Sequence, residues 1–153
     1  MIKFKGKGVY GAVAIGRISV FNRQEAQVRR IHITDAEFEK NRIKEAEAVA
    51  IRQLKQIHEK ALKEVGETNA QIFEIHMMMI EDDDYNESIV NIIENQLVNA
   101  EYAVALTSDN FAKMFRSMDD AYMQARADDV RDISNRIISC LSDSVITEGA
   151  VHD

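Results

Sequence analysis

Gly66–Tyr85 reads GETNAQIFEIHMMMIEDDDY. A glycine, a short apolar run and a string of acids follow one another there, between two long helical patterns. Successive helical residues sit about 100° apart, so Met77, Met78 and Met79 cannot all face one core. With Ile75 and Ile80 also apolar, the segment is hydrophobic on more than one side. It is therefore either sandwiched between other elements or partly exposed, and the acids Glu81, Asp82, Asp83 and Asp84 that follow at once conflict with deep burial. His76 in such a setting is most often structural, yet histidine beside methionine also makes an adaptable docking patch. On the residues alone, binding surface and plain core both stand.

Upstream of this stretch, Thr34-x-x-Glu37 forms a capping box that opens a first helix. The apolar residues Ile43, Ala50, Leu54, Ile57, Ala61 and Val65 then keep one stripe up to a stop at Gly66. Such a helix would reach roughly 45 Å, a length suited to a hairpin or bundle. Downstream of the Thr68–Ile80 segment, Asp82 or Asp83 can cap a helix from about Asp84 to Val98, with Tyr85, Ile89, Ile92, Ile93, Gln96 and Leu97 on one side. Asn99 is a candidate cap for the next helix, whose inward face reads Ala103, Leu106, Phe111, Met114, Phe115 and Met118. Ser117-x-x-Asp120 marks a last start, and Tyr122, Val130, Ile133, Ile137 and Leu141 carry its stripe. The short connections predict antiparallel neighbours.

The two ends differ from this body. Four of the six glycines, Gly6, Gly8, Gly11 and Gly16, fall in the first sixteen residues, and proline is absent. Val13, Ile15, Ile18 and Val20 follow period two, and Val28–Ile33 alternates roughly again. Two or three strands make a sheet too small to stand alone, so the partner layer of this head is expected outside the chain. After Leu141 the periodicity stops. The expected organisation is N-terminal strands over 1–33, a helical body over 34–141 and a connection over 142–153. The fold class is mainly α: an antiparallel bundle of about four main helices with a small β head.

The chain has 153 residues, 46% of them hydrophobic, and a formal net charge of −7. That charge argues against a nucleic-acid surface, which wants a basic stripe, and suits a basic protein partner. There is no long apolar run for a membrane span and no signal-peptide pattern at MIKFKGKG. One cysteine, Cys140, excludes a disulfide framework and fits a reducing cytoplasm.

No catalytic or metal centre emerges. Asp82-x-Asp84-x-Asn86-x-Ser88 begins like a calcium loop, but Glu87 stands where glycine is needed and Ile93 where a bidentate glutamate is needed. None of the histidines follows a glutamate at the di-iron spacing, and no Cys–His spacing suits zinc. No glycine-rich loop feeds a helix in the phosphate-cradle pattern.

Three strings carry a resemblance that covers nearly all the chain. GETNAQIFEIHMMMIEDDDY is similar to the GEE…IFE.H.MLLED segment of enzyme I of the phosphoenolpyruvate:sugar phosphotransferase system. Asn99–Val104, NAEYAV, resembles that family's NAE.AV, and Asp119–Asp132, DDAYMQARADDVRD, resembles its DDEYL.ERA.DVRD. Gly6–Gly16 matches the length of the family's first strand, with Gly11-Ala12 in place of its Pro-Gly, so that turn is built differently. Met1 lies five residues before Gly6, which the resemblance reads as favouring the sugar branch.

The resemblance implies a phosphoenolpyruvate-protein phosphotransferase of the cytoplasm. Such an enzyme phosphorylates its own histidine from phosphoenolpyruvate with Mg²⁺ and passes the group to the phosphocarrier HPr. It is homodimeric through a region outside this chain. This chain would be the HPr-docking part, with no catalytic residue, cofactor or metal of its own, because the family's G-G-x-x-S-H motif does not occur in it. Alternatives are the same region of a nitrogen-related enzyme I or a dihydroxyacetone-kinase phosphotransfer subunit, or a stand-alone helical adaptor. Carried over by position, the docking residues are Glu67, His76, Met78, Met79, Asp82, Asp83, Asp84, Met123 and Arg126, with Tyr85 and Phe115 at the edge. The methionines would receive apolar side chains and the acids a basic rim. Arg126 is unexpected in an acidic rim, and an ion pair with Asp129 or Glu67 is its other reading.

Overall fold

A computed structural model describes residues 28–152, with side chains over 28–142. Among the described residues five helices follow one another: α1 (Ala36–Glu64), α2 (Glu67–Ile80), α3 (Asp83–Gln96), α4 (Ala100–Arg116) and α5 (Ala121–His152). The mainly α expectation holds across the described residues. Contacts run in opposite numerical order along paired helices, which makes the neighbours antiparallel. Arg116 and Arg131 reach Asp128 and Asp109 between α4 and α5. Tyr85 meets Phe111, and Ser88 bonds Thr107, between α3 and α4.

Helix ends follow local chemistry with two departures from the expected caps. Asp35, not Thr34, caps α1, its carboxylate accepting from the Phe38 amide at 3.1 Å. A carboxylate is the stronger acceptor next to the helix's positive end, so the capping box at Thr34 is not used. Gly66 ends the first hairpin arm at φ 91, a backbone region that favours glycine. Asp82 caps α3, accepting from the Tyr85 amide at 2.9 Å. Before α5, the Asp120 carboxylate accepts from the Tyr122 amide at 2.9 Å.

Asn99 precedes α4, but its side chain makes no cap bond. It clamps the incoming chain instead, accepting from the Ile31 amide at 2.8 Å and donating to the Arg29 carbonyl at 3.0 Å. The first amide of α4, at Ala100, is taken by Glu39 of α1 at 2.8 Å. Along Val28–Ile33 the expected strand is a single antiparallel bridge, His32 to Val98. The rest of the small β head falls in residues 1–27, outside the described residues. At the other end the backbone of α5 continues helical to His152, past the point where the periodicity stops. No proline interrupts that segment.

The core gathers Ile43, Ala50 and Leu54 of α1, Tyr85, Ile89 and Ile93 of α3, and Val130, Ile133, Ile137 and Leu141 of α5. On α4 the buried face is Ala100, Ala103, Val104, Thr107, Ser108 and Ala112, all small residues. Of the inward face expected for that helix, Ala103 is buried and Phe111 and Phe115 pack against the core, while Met114 departs from it. Small residues let α4 approach α5 closely, which turns the bulky Met114 outward, 45% exposed. Tyr122 of α5 is likewise 60% exposed rather than inward.

Candidate functional site

Where α2 and α3 meet α4 and α5, the displaced bulky residues wall a groove of about 420 Å³. Ile75, Met78 and Met79 come from α2, Phe111, Met114 and Phe115 from α4, and Tyr122, Met123 and Arg126 from α5. Asp82, Asp84 and Tyr85 form the wall at the α2–α3 junction, with Val130 and Ile133 also lining the groove. Met78 is 69% exposed, so the methionine run is divided. Ile80 enters the core, Met77 and Met79 pack against its edge, and Met78 stands free in the groove. One side of α2 is therefore core, and the other is left open along the groove.

Tyr85 anchors the floor. Its ring packs edge-on to Phe111, which packs edge-on to Phe115. Its hydroxyl shares a 2.7 Å hydrogen bond with Ser134. Burial pushes this phenol well above its ordinary range, so it stays neutral and fixed. Tyr85 is thus a buried support for the groove more than a surface contact.

Of the residues expected from the sequence, Met78, Met79, Asp82, Asp84, Tyr85, Phe115, Met123 and Arg126 come together at the groove. Asp83 is exposed in the first turn of α3, outside the lining. Glu67 opens α2, eleven residues before Met78, which places it about 16 Å away along the helix axis. His76 is turned inward, only 8% exposed. Its ring is directed toward α5, which leaves little of it open to the surface.

There His76 Nε2 meets Asp129 Oδ1 at 3.1 Å. The other Asp129 oxygen accepts from Arg126 Nη1, so of the two partners foreseen for Arg126 the structure selects Asp129. The Arg126 guanidinium lies over the Tyr122 ring, 4.5 Å from its centroid. His76, Asp129 and Asp132 offer three donor atoms within 4.8 Å of one another, a proximity across α2 and α5 that no sequence spacing announces. Burial raises the Asp132 carboxyl, with Asp129 and Asp128 adding to the rise and His76 and Arg136 opposing it. Tyr122, Met114, Phe111 and Ile75 are groove residues the sequence reading did not select. The clue was there: large apolar side chains on α4 fall out of step with its Ala, Ser and Thr face.

The family pattern described as PEP-utilising enzyme, N-terminal, matches residues 5–126. The chain belongs to the PEP-utilising enzyme N-terminal family. The phosphoenolpyruvate-protein phosphotransferase of Listeria monocytogenes is 34% identical over 151 residues, 99% of this chain and 26% of that protein. That of Bacillus subtilis is 36% identical over 137 residues, 90% of this chain and 24% of that protein. The chain therefore spans about a quarter of the length of these relatives. An NMR solution structure of Enzyme I (nEIt) superposes with a TM-score of 0.73 at 35% identity, over 76% of this chain and 48% of that one. An N-terminal domain of Enzyme 1 - Nitrogen shares the fold, with a TM-score of 0.73 at 22% identity over 79% of this chain and 50% of that one. The resemblance carried by the three sequence strings is borne out by this family membership. Among the described residues, no helix is long and apolar enough to cross a membrane.

Proposed function

We propose that this chain is the HPr-docking part of a cytoplasmic phosphoenolpyruvate-protein phosphotransferase. The observation that carries the reading is the groove itself, placed on the residues by which the chain resembles enzyme I. Methionine and aromatic side chains offer a pliable apolar seat, and Asp82 and Asp84 attract a basic rim. The chain acts by positioning: it holds the acceptor histidine of the carrier near a phosphohistidine that lies outside it.

Mg²⁺ belongs to the parent reaction and is assigned outside this chain. The nearest donor set here, His76, Asp129 and Asp132, suits that ion poorly. Mg²⁺ wants an octahedron of oxygens, whereas one donor is a ring nitrogen and both Asp129 oxygens already have partners. Homodimerisation of the parent is likewise assigned to a region outside this chain.

Titration of HPr into the chain tests the reading. Saturable binding that weakens from low to high salt is expected, and Met79→Ala combined with Asp82→Asn should weaken it further. Asparagine is chosen because it removes the charge and still caps α3. Absence of saturable binding, or binding indifferent to that double substitution, would instead favour a stand-alone helical adaptor. Phosphoenolpyruvate alone should leave no phosphoryl group on this polypeptide.

A further inference from the structure

The groove is not uniformly acidic. Asp82 and Asp84 stand at the α2–α3 junction, while the α5 wall presents Arg126. What sets the position of that guanidinium is visible in its contacts. Nη1 is ion-paired to Asp129, Nε is buried without a hydrogen-bond partner, and the plane rests on the exposed ring of Tyr122. Tyr122, Arg126 and Asp129 follow at i, i+4 and i+7 and so share one stripe of α5.

Asp129 is 9% exposed and would be costly to bury as a lone carboxylate. Its second oxygen is satisfied by His76 Nε2 from the neighbouring helix. A carboxylate only accepts hydrogen bonds, so Nε2 carries the proton in this contact. His76 stands between Ile75, which lines the groove, and Met79 three residues on. The same histidine therefore ties the α2 wall to the α5 wall.

We infer that Asp129 and His76 form a buried relay that positions Arg126 in the groove wall, giving the groove an edge of guanidinium N–H donors beside its acidic one. The occupant then needs basic groups for Asp82 and Asp84 and an acceptor oxygen for Arg126. Buried ion pairs contribute little net stability but do specify geometry, which is the role assigned here. The partner side of this inference rests on the docking reading. The relay itself is a property of this chain alone.

The probe is the Arg126 Nε–Hε signal in ¹H–¹⁵N spectra of the labelled chain, assigned by its loss in Arg126→Lys. In the unsubstituted protein it should be shifted by the Tyr122 ring and slow to exchange. His76→Ala and Asp129→Asn should move it toward the position of an exposed arginine, and weaken HPr binding by about tenfold. His76→Gln keeps an N–H donor for Asp129 and should restore both the signal and most of the affinity.

A His76→Ala signal left in place, or His76→Gln behaving like His76→Ala, would overturn the relay. Should Asp129→Asn fail to fold, the two His76 variants decide the matter. A signal that responds as expected in a chain that never binds HPr would support the relay while refuting the docking reading.

Discussion

Glu39 and Asp129 are both buried acids shared between two donors, one at each end of the molecule's charged interior. Glu39 of α1 accepts from Arg42 and from the Ala100 amide, both at 2.8 Å. Arg42 reaches on to Glu101 at 2.8 Å. Burial opposes the charge of Arg42, but Glu101 and Glu39 more than offset it and raise its pKa. That cluster closes on a helix end and on the segment clamped by Asn99. The Asp129 cluster instead ends on an arginine that lines a groove. The same chemistry thus serves a joint in one place and a surface in the other. What distinguishes them is whether the last cation of the chain of contacts meets backbone and acids or an open wall.

The largest effect should come from Glu39→Ala, which strips the α4 amide of its acceptor and leaves Arg42 with one partner. Denaturant unfolding should show a loss of about 3 kcal/mol or more, with HPr affinity of the folded protein unchanged. A matching loss of affinity would erase the distinction between joint and surface.

Glu47, two turns further along α1, is the acid with no such partner. One of its carboxylate oxygens is buried without a hydrogen bond, and burial raises its pKa from 4.5 to about 7. Because the folded value lies above the unfolded one, its neutral form stabilises the fold. That contribution is complete below pH about 4.5 and lost as the pH rises through about 7, amounting to about 3 kcal/mol. Glu47→Gln should therefore flatten the fall in melting temperature between pH 5 and 8. Superimposable profiles for the two proteins would contradict the unpartnered burial of this carboxyl.

Asp82 joins both roles, since it caps α3 and lines the groove. Asp82→Ala should cost about 1 kcal/mol of stability and Asp82→Asn only a few tenths, while both weaken HPr binding. Equal stability losses would mean that the charge, not the cap, matters to the fold. The smallest change in stability is expected for Met78→Ala, within about 0.5 kcal/mol because the side chain stands free. Its HPr affinity should nevertheless fall, and a binding curve identical to that of the unsubstituted chain would remove Met78 from the site.

Much of this was legible in the residues. The Ile43, Ala50 and Leu54 stripe, the glycine stop, the acidic cap of α3 and the buried Val130–Leu141 face all follow from spacing and local chemistry. Those signals depend on interactions within a turn or two of chain. On α4, apolar character points correctly to Ala103 but not to Met114, because closeness to α5 selects small residues and turns Met114 to the groove wall. Thr34 was likewise preferred to Asp35 by a motif that the neighbouring carboxylate outcompetes.

By itself the sequence determined that the chain is helical, where its hairpin turns, and that Met78, Met79 and the acids after them form an unusual surface. Periodicity and capping are short-range and are written in order along the chain. Only the tertiary structure decided that His76 faces inward, that Asp129 rather than Glu67 holds Arg126, and that Glu39 rather than Asn99 caps α4. Those pairings join residues 53, 3 and 61 positions apart. Even the closest of them is chosen by what the neighbouring helix buries. Packing, not spacing, selects among partners that the sequence leaves equally available.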